Sequence, residues 1–278
     1  MPRRRTLRML ICCLALCPAT AGAAEPEPPD NQNLINWNYA LAFGTGAYRI
    51  GDRTVAVIRV PLGYALTPMS NDRWGLRLTA PIAFGFVDFD FQDVVDGLPD
   101  RVGTFSMAPG LELAIPMRHN WRLKPFFNAG FGKEYENNVT AFLYAGGLKS
   151  RYVRAWDKLD LELGNSLTFA GYNPNNGEST SLSALVTSLN FRYPLGLSAF
   201  GRKLNIGTQF TWYAYLNDLT FALPFDETES VSHEYELGAT LGVYEPVKIL
   251  GGSFDRFGLA FRLGDGLTGV RLVTYFPF

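Results

Sequence analysis

The chain has 278 residues, with 25 Lys and Arg against 26 Asp and Glu, 14% aromatic residues and three cysteines. That balance, with no basic stripe to neutralise phosphates, argues against nucleic acid as a partner. Mean hydropathy is +0.01, and no apolar run after the first 24 residues has the ~20 residues that a membrane-crossing helix needs.

At the start, Arg3, Arg4, Arg5 and Arg8 precede an apolar run from Met9 to Leu16, and small residues follow from Ala19 to Ala24. This is the pattern of a secretory signal peptide, predicted here over residues 1–24. Cys12, Cys13 and Cys17 all lie within it, so the exported chain has no thiol for a disulfide, a metal or a nucleophile. Loss of the four arginines leaves 21 basic residues against 26 acidic ones, a net charge of −5. Residues 25–33, EPEPPDNQN, form a short polar lead with no folding tendency.

From residue 34 onward, apolar residues recur at every second position in stretches separated by turn chemistry, the signal of half-buried strands. Twelve stretches are predicted: 34–48, 53–66, 73–88, 103–117, 121–134, 139–151, 157–171, 182–194, 203–217, 232–245, 253–264 and 268–278. The sixth has the weakest alternation, because Gly146-Gly147 interrupts it. The last reads TGVRLVTYFPF and ends on Phe278, with Val270, Leu272, Phe276 and Phe278 on one parity. Together these features predict an all-β fold, a transmembrane antiparallel up-and-down barrel of about twelve strands over residues 34–278. Strands that alternate lipid-facing apolar residues with polar or small inward ones keep mean hydropathy low. The expected location is the bacterial outer membrane.

An even strand count puts both ends of the barrel on one side, expected to be periplasmic. The two longest connections, 89–102 and 218–231, then fall outside, as barrels of this kind require. Parity puts Leu78 and Ile206 on the lipid face. Outer-membrane lipids are the expected surroundings, and the barrel assembly machinery the expected partner, reading Val270, Leu272, Phe276 and Phe278 as an assembly signal.

The opposite parity collects charge. Arg59, Arg77, Glu112, Lys124, Asp160, Glu162, Arg192, Glu236, Arg256, Arg262 and Arg271 are all directed inward. Arginine facing lipid at mid-membrane costs ~2–4 kcal/mol in a barrel, so these belong in the lumen. They serve either a solute-selecting constriction or a salt-bridged filling that keeps a narrow barrel rigid.

The final hairpin, FDRFGLAFRLGDGLTGVRLVTYFPF from Phe254 to Phe278, resembles the C-terminus of the solitary outer-membrane autotransporter-like β-barrel family. The matching residues are Asp255-Arg256, Gly258-Leu259, Arg262, Gly264-Asp265, Gly269-Val270-Arg271-Leu272 and the closing Pro-Phe. The resemblance implies a translocator-type barrel without its secreted passenger. Residues 25–33 are shorter and richer in proline than the helix such barrels thread through the lumen.

Other chemistry is thinly represented. Asp88, Asp90, Asp93, Asp96 and Asp100 in one long loop, and Asp226, Glu227 and Glu229 in the other, lack the ligand spacing of a calcium site. His119 and His233 are the two histidines, and Ser232, next to His233 on a strand, points to the opposite face. No catalytic, cofactor or metal residues are therefore assigned, and the chain is not expected to be an enzyme. The expected role is structural or that of a narrow pore with a charged lumen. The alternatives are a surface ligand-binding or adhesin barrel acting through the two long loops, and an outer-membrane lipid hydrolase.

Overall fold

A computed structural model describes residues 43–51, 53–70, 73–87, 103–135, 138–222, 228–249 and 252–278. The predicted signal peptide, the polar lead, most of the first predicted strand and the 89–102 loop lie outside these residues. The described chain contains strands β1 (Gly46–Ile50), β2 (Arg53–Thr67), β3 (Gly75–Val87), β4 (Thr104–Met107), β5 (Gly110–Arg118), β6 (Trp121–Glu134) and β7 (Thr140–Trp156). They continue as β8 (Leu159–Pro174), β9 (Thr180–Ala199), β10 (Arg202–Ala222), β11 (Thr228–Ile249), β12 (Gly252–Gly264) and β13 (Leu267–Val273).

Apart from β4 and β5, each strand pairs antiparallel with its chain neighbours, and β1 pairs with both β2 and β13, which closes the sheet into a barrel. β4 and β5 both lie between β3 and β6 and form one interrupted stave, so the wall has twelve. The interruption falls at Ala108-Pro109. Pro109 has no amide hydrogen to give the ladder, and Ala108 and Ala129 bridge the gap through Pro81 and Pro109 carbonyls at 3.2 and 2.9 Å.

The strands run on beyond the predicted boundaries. The expected turns at 152–156 and 195–202 tighten to the pairs Asp157-Lys158 and Phe200-Gly201, with Asp157, Phe200 and Gly201 at positive φ. Alternation marks only the part of a strand that passes through an apolar band ~25 Å tall. The backbone ladder has no such limit, and β11 reaches 22 residues. The near end of the barrel carries these short turns and residue 278; the far end carries the longer connections.

The wall is reversed relative to a water-soluble protein. Along β12, Phe257, Leu259, Phe261 and Leu263 are exposed, whereas Arg256, Ala260 and Arg262 are buried. Leu78 and Ile206 are exposed at 43% and 48%, in agreement with the parity reading. Far-end interior space is filled by an apolar cluster that includes Tyr48, Ile50, Val55, Leu182, Leu219, Phe221, Val231 and Leu267. β10 and β11 supply part of it beyond a register shift between Ala214 and Leu219, where Leu219, Phe221 and Val231 are buried.

Candidate functional site

Three groups of charged residues occupy the lumen. Nearest the C-terminal end, Glu162 on β8 is fully buried and receives Arg151 of β7 at 2.5 Å, Arg192 of β9 at 2.8 Å and Arg256 of β12 at 3.3 Å. Asn190 donates a further hydrogen bond to it at 2.8 Å. Arg256 also holds Asp255 at 2.9 Å. Since β8 and β12 are four staves apart, the Arg256–Glu162 pair crosses the interior and ties non-adjacent stretches of wall together.

At mid-height Glu112 on β5 pairs with Lys149 of β7 at 3.1 Å and with Lys124 of β6 at 3.8 Å. Arg59 and Arg77 face the same space.

The third group lies beneath the far-end apolar cluster. Arg271 forks onto Glu236, its Nε and Nη2 donating at 2.8 and 2.5 Å. Such a bidentate pair fixes direction as well as distance. Gln209 donates to the same carboxylate at 2.8 Å. Arg262 donates instead to Glu234 and to the Tyr215 hydroxyl, the latter at 3.0 Å. Its guanidinium lies 4.0 Å from the Tyr213 ring centroid and 5.1 Å from that of Phe43, and only 1% of the residue is exposed. Stacking on aromatic faces suits the weakly hydrated guanidinium where an ammonium would lose more solvation.

All eleven predicted inward residues thus fall on described strands, and ten of them meet in these groups, eight as ion-pair members and Arg59 and Arg77 beside them. Arg192 and Arg256 share Glu162, and Arg262 and Arg271 take separate carboxylates. Asp160 differs: it is half-buried near the rim and forms no ion pair with the described residues. Arg151, Lys149, Glu234 and Asp255 were not among the predicted set. Glu234 shares the parity of Glu236, so its inward direction was available from the alternation. Lys149 and Arg151 lie just past Gly146-Gly147, which obscured theirs.

The last predicted strand, 268–278, needs correction. Val270 is exposed and Leu272 shares its parity, as expected, but strand β13 ends at Val273, and Phe276 and Phe278 are buried instead of facing outward. Leu272 makes its last wall contact through the Thr45 carbonyl at 2.8 Å. One residue further back Gly44 lies against Arg271, and the Phe43 ring stacks on Tyr48 with centroids 4.4 Å apart. The β1 edge therefore leaves the wall at this height, and Pro277 lacks an amide to continue a ladder. The released segment turns into the lumen. The Phe276 ring sits between the Arg151 and Arg256 guanidiniums, 5.5 and 5.6 Å from its centroid. Phe278 packs on Gly164, and its main-chain oxygen accepts a hydrogen bond from Lys124 at 3.1 Å.

Ser232 and His233 take different partners. Ser232 donates to Asp265 at 3.0 Å, while the exposed His233 ring stacks on Trp212 at 5.9 Å. Of the acidic loop residues, Glu229 is described and packs its carboxylate over Gly266; Asp88, Asp90, Asp93, Asp96, Asp100, Asp226 and Glu227 lie outside the described residues.

The fold and its interior define a class: a closed twelve-stave antiparallel barrel, apolar outside and ion-paired within. No protein-family model and no curated protein matches the chain. Among solved structures it is similar to the β domain of the Bordetella autotransporter BrkA, with a TM-score of 0.46 and 10% sequence identity. The likeness covers 82% of this chain and 95% of that one.

Proposed function

We propose that this chain is an integral outer-membrane β-barrel of the passenger-less, autotransporter-translocator type, whose lumen is charged and occluded. It serves as a structural element or a narrow, closed pore. The observation that carries this reading is the placement of charge: Glu162, Glu234, Glu236, Arg256 and Arg262 are all buried inside a wall whose outer face exposes Leu and Phe. In water such an exterior would drive aggregation; in lipid it is the stable arrangement. The inward tail at 274–278 supports occlusion, because it fills the near end while aromatic and aliphatic side chains fill the far one. Residues 1–24 direct export, and the assembly machinery reads Val270, Leu272, Phe276 and Phe278 before the tail folds inward.

The test combines cell fractionation with liposome swelling. The protein is expected in the outer-membrane fraction as a heat-modifiable band, and liposomes carrying it should remain closed to small sugars. Recovery in the soluble fraction would contradict the membrane reading. Rapid sugar entry through correctly folded protein would contradict occlusion.

A further inference from the structure

Between the far apolar cluster and the inward tail lies a chamber of about 330 Å³. Its lining is unequal in charge. Arg59, Arg77, Lys124 and Lys149 face it together with one carboxylate side chain besides those that Arg262 and Arg271 hold, Glu112. Arg262 and Arg271 also reach it, but each already holds a carboxylate of its own. Lys149 is 3.1 Å from Glu112 and Lys124 is 3.8 Å away, so one carboxylate is divided between two ammonium groups. Lys124 supplements it with the main-chain oxygen of Phe278. The Arg77 guanidinium lies along the wall at Gly63. Cations in a partly enclosed space gain strongly from an added counter-charge, because water screens them weakly there.

Leu62, Phe126, Leu143 and Val186 add apolar surface to the lining, alongside hydroxyl groups such as those of Ser166 and Thr168. Lys149 already lies 4.8 Å from the Phe126 ring centroid, so charge and aromatic face meet at one point. Pockets of this size commonly take small molecules, with apolar walls gripping the body and a few polar groups fixing its direction.

We propose that the chamber is a binding site for a small organic anion, a carboxylate on an apolar or aromatic body. The carboxylate is held by Lys124, Lys149 and Arg77, and the body rests against Phe126 and Leu143. Glu112 is the internal competitor for the same lysines. The Phe278 oxygen is a second competitor, so a bound anion and the seated tail share Lys124. The proposal deepens the reading of a charged, occluded lumen and rests on it only for the location of the chamber.

The probe is benzoate, titrated calorimetrically into the refolded, detergent-solubilised barrel, with benzyl alcohol and benzylammonium as matched neutral and cationic probes. Benzoate should bind measurably and the other two far more weakly. Charge-assisted hydrogen bonds are strong enough that Lys149→Met should weaken benzoate about tenfold. Glu112→Gln should tighten it by a similar factor, since both lysines then turn to the ligand. Heat-modifiable mobility identifies folded samples, and Lys149→Arg, which keeps the charge, should bind nearly as the parent does. Equal binding of benzoate and benzyl alcohol, no benzoate binding, or a Glu112→Gln variant that fails to gain affinity would each overturn the proposal. Because the titration is made in detergent and does not involve conduction, its failure is separate from any failure of the occluded-barrel reading.

Discussion

The two faces of one strand show how the solvent sets the sequence. On β11, Glu234 and Glu236 are fully buried while their neighbours Tyr235 and Leu237 are exposed at 52% and 67%. In a water-soluble sheet the assignment would be the reverse, since charged side chains are almost never fully buried unless paired. On the proposed membrane reading the outward side needs no particular partner, whereas each lumen charge needs a particular opposite charge at a particular height. The outer face is therefore tolerant of apolar exchange and the inner one is not. Loss of an inward group should be costly even though it removes no apolar area.

The largest effect should come from replacing Arg262 and Arg271 together by Ser. Glu234 and Glu236 would be left buried without their guanidiniums, and breaking a buried pair by removing one partner costs ~3–5 kcal/mol. Thermal conversion of the heat-modifiable band should move to distinctly lower temperature. An unchanged transition would mean that lumen water already satisfies these carboxylates.

On the other face, Leu78→Arg or Ile206→Arg should impair insertion by ~2–4 kcal/mol if either site lies near mid-membrane. Leu78→Ile and Ile206→Leu should be nearly neutral. The comparison is read by refolding yield into lipid vesicles, and equal yields for Arg and Ile at these sites would place them away from lipid.

A smaller change is expected where ring and cation meet in the tail. Phe276→Leu keeps much of the buried area but removes the contacts with Arg151 and Arg256, worth ~0.5–2 kcal/mol. The readout is a modest loss in urea resistance. The smallest effect should be at the near-end turn, where Phe200 has φ of 51° and is fully exposed. A left-handed conformation costs an ordinary side chain ~1–2 kcal/mol, and Asn adopts it more readily. Phe200→Asn should stabilise slightly, and a clear loss would show that the exposed ring is held by a contact outside the barrel.

Much of the wall was legible because alternation reports directly on which side chains face outward and which face the lumen. β12 illustrates this: each Phe and Leu from Phe257 to Leu263 fell on the expected parity, and so did Arg256 and Arg262. The partners of the charges were not legible. Glu236 lies directly across from Arg262 in the backbone register, yet its carboxylate is taken by Arg271 on β13, because reach around the curved wall decides the pairing. The inward tail was hidden for a different reason. Period two continues through Phe276 and Phe278, and only the departure of the β1 edge beyond Thr45 shows that the ladder has already ended.

Whether that tail closes the barrel can be tested at a residue outside it. A side chain at Gly164 would occupy space held by the Phe278 ring and press on Phe276, so Gly164→Leu should unseat the tail without altering its sequence. The measurement is single-channel conductance in planar bilayers, parent against variant, both verified as folded by heat-modifiable mobility. The parent should be silent or show only small, brief openings, and the variant should show larger and longer ones. A large steady conductance from the parent, or a folded variant as silent as the parent, would contradict the conclusion that the inward tail keeps the lumen shut.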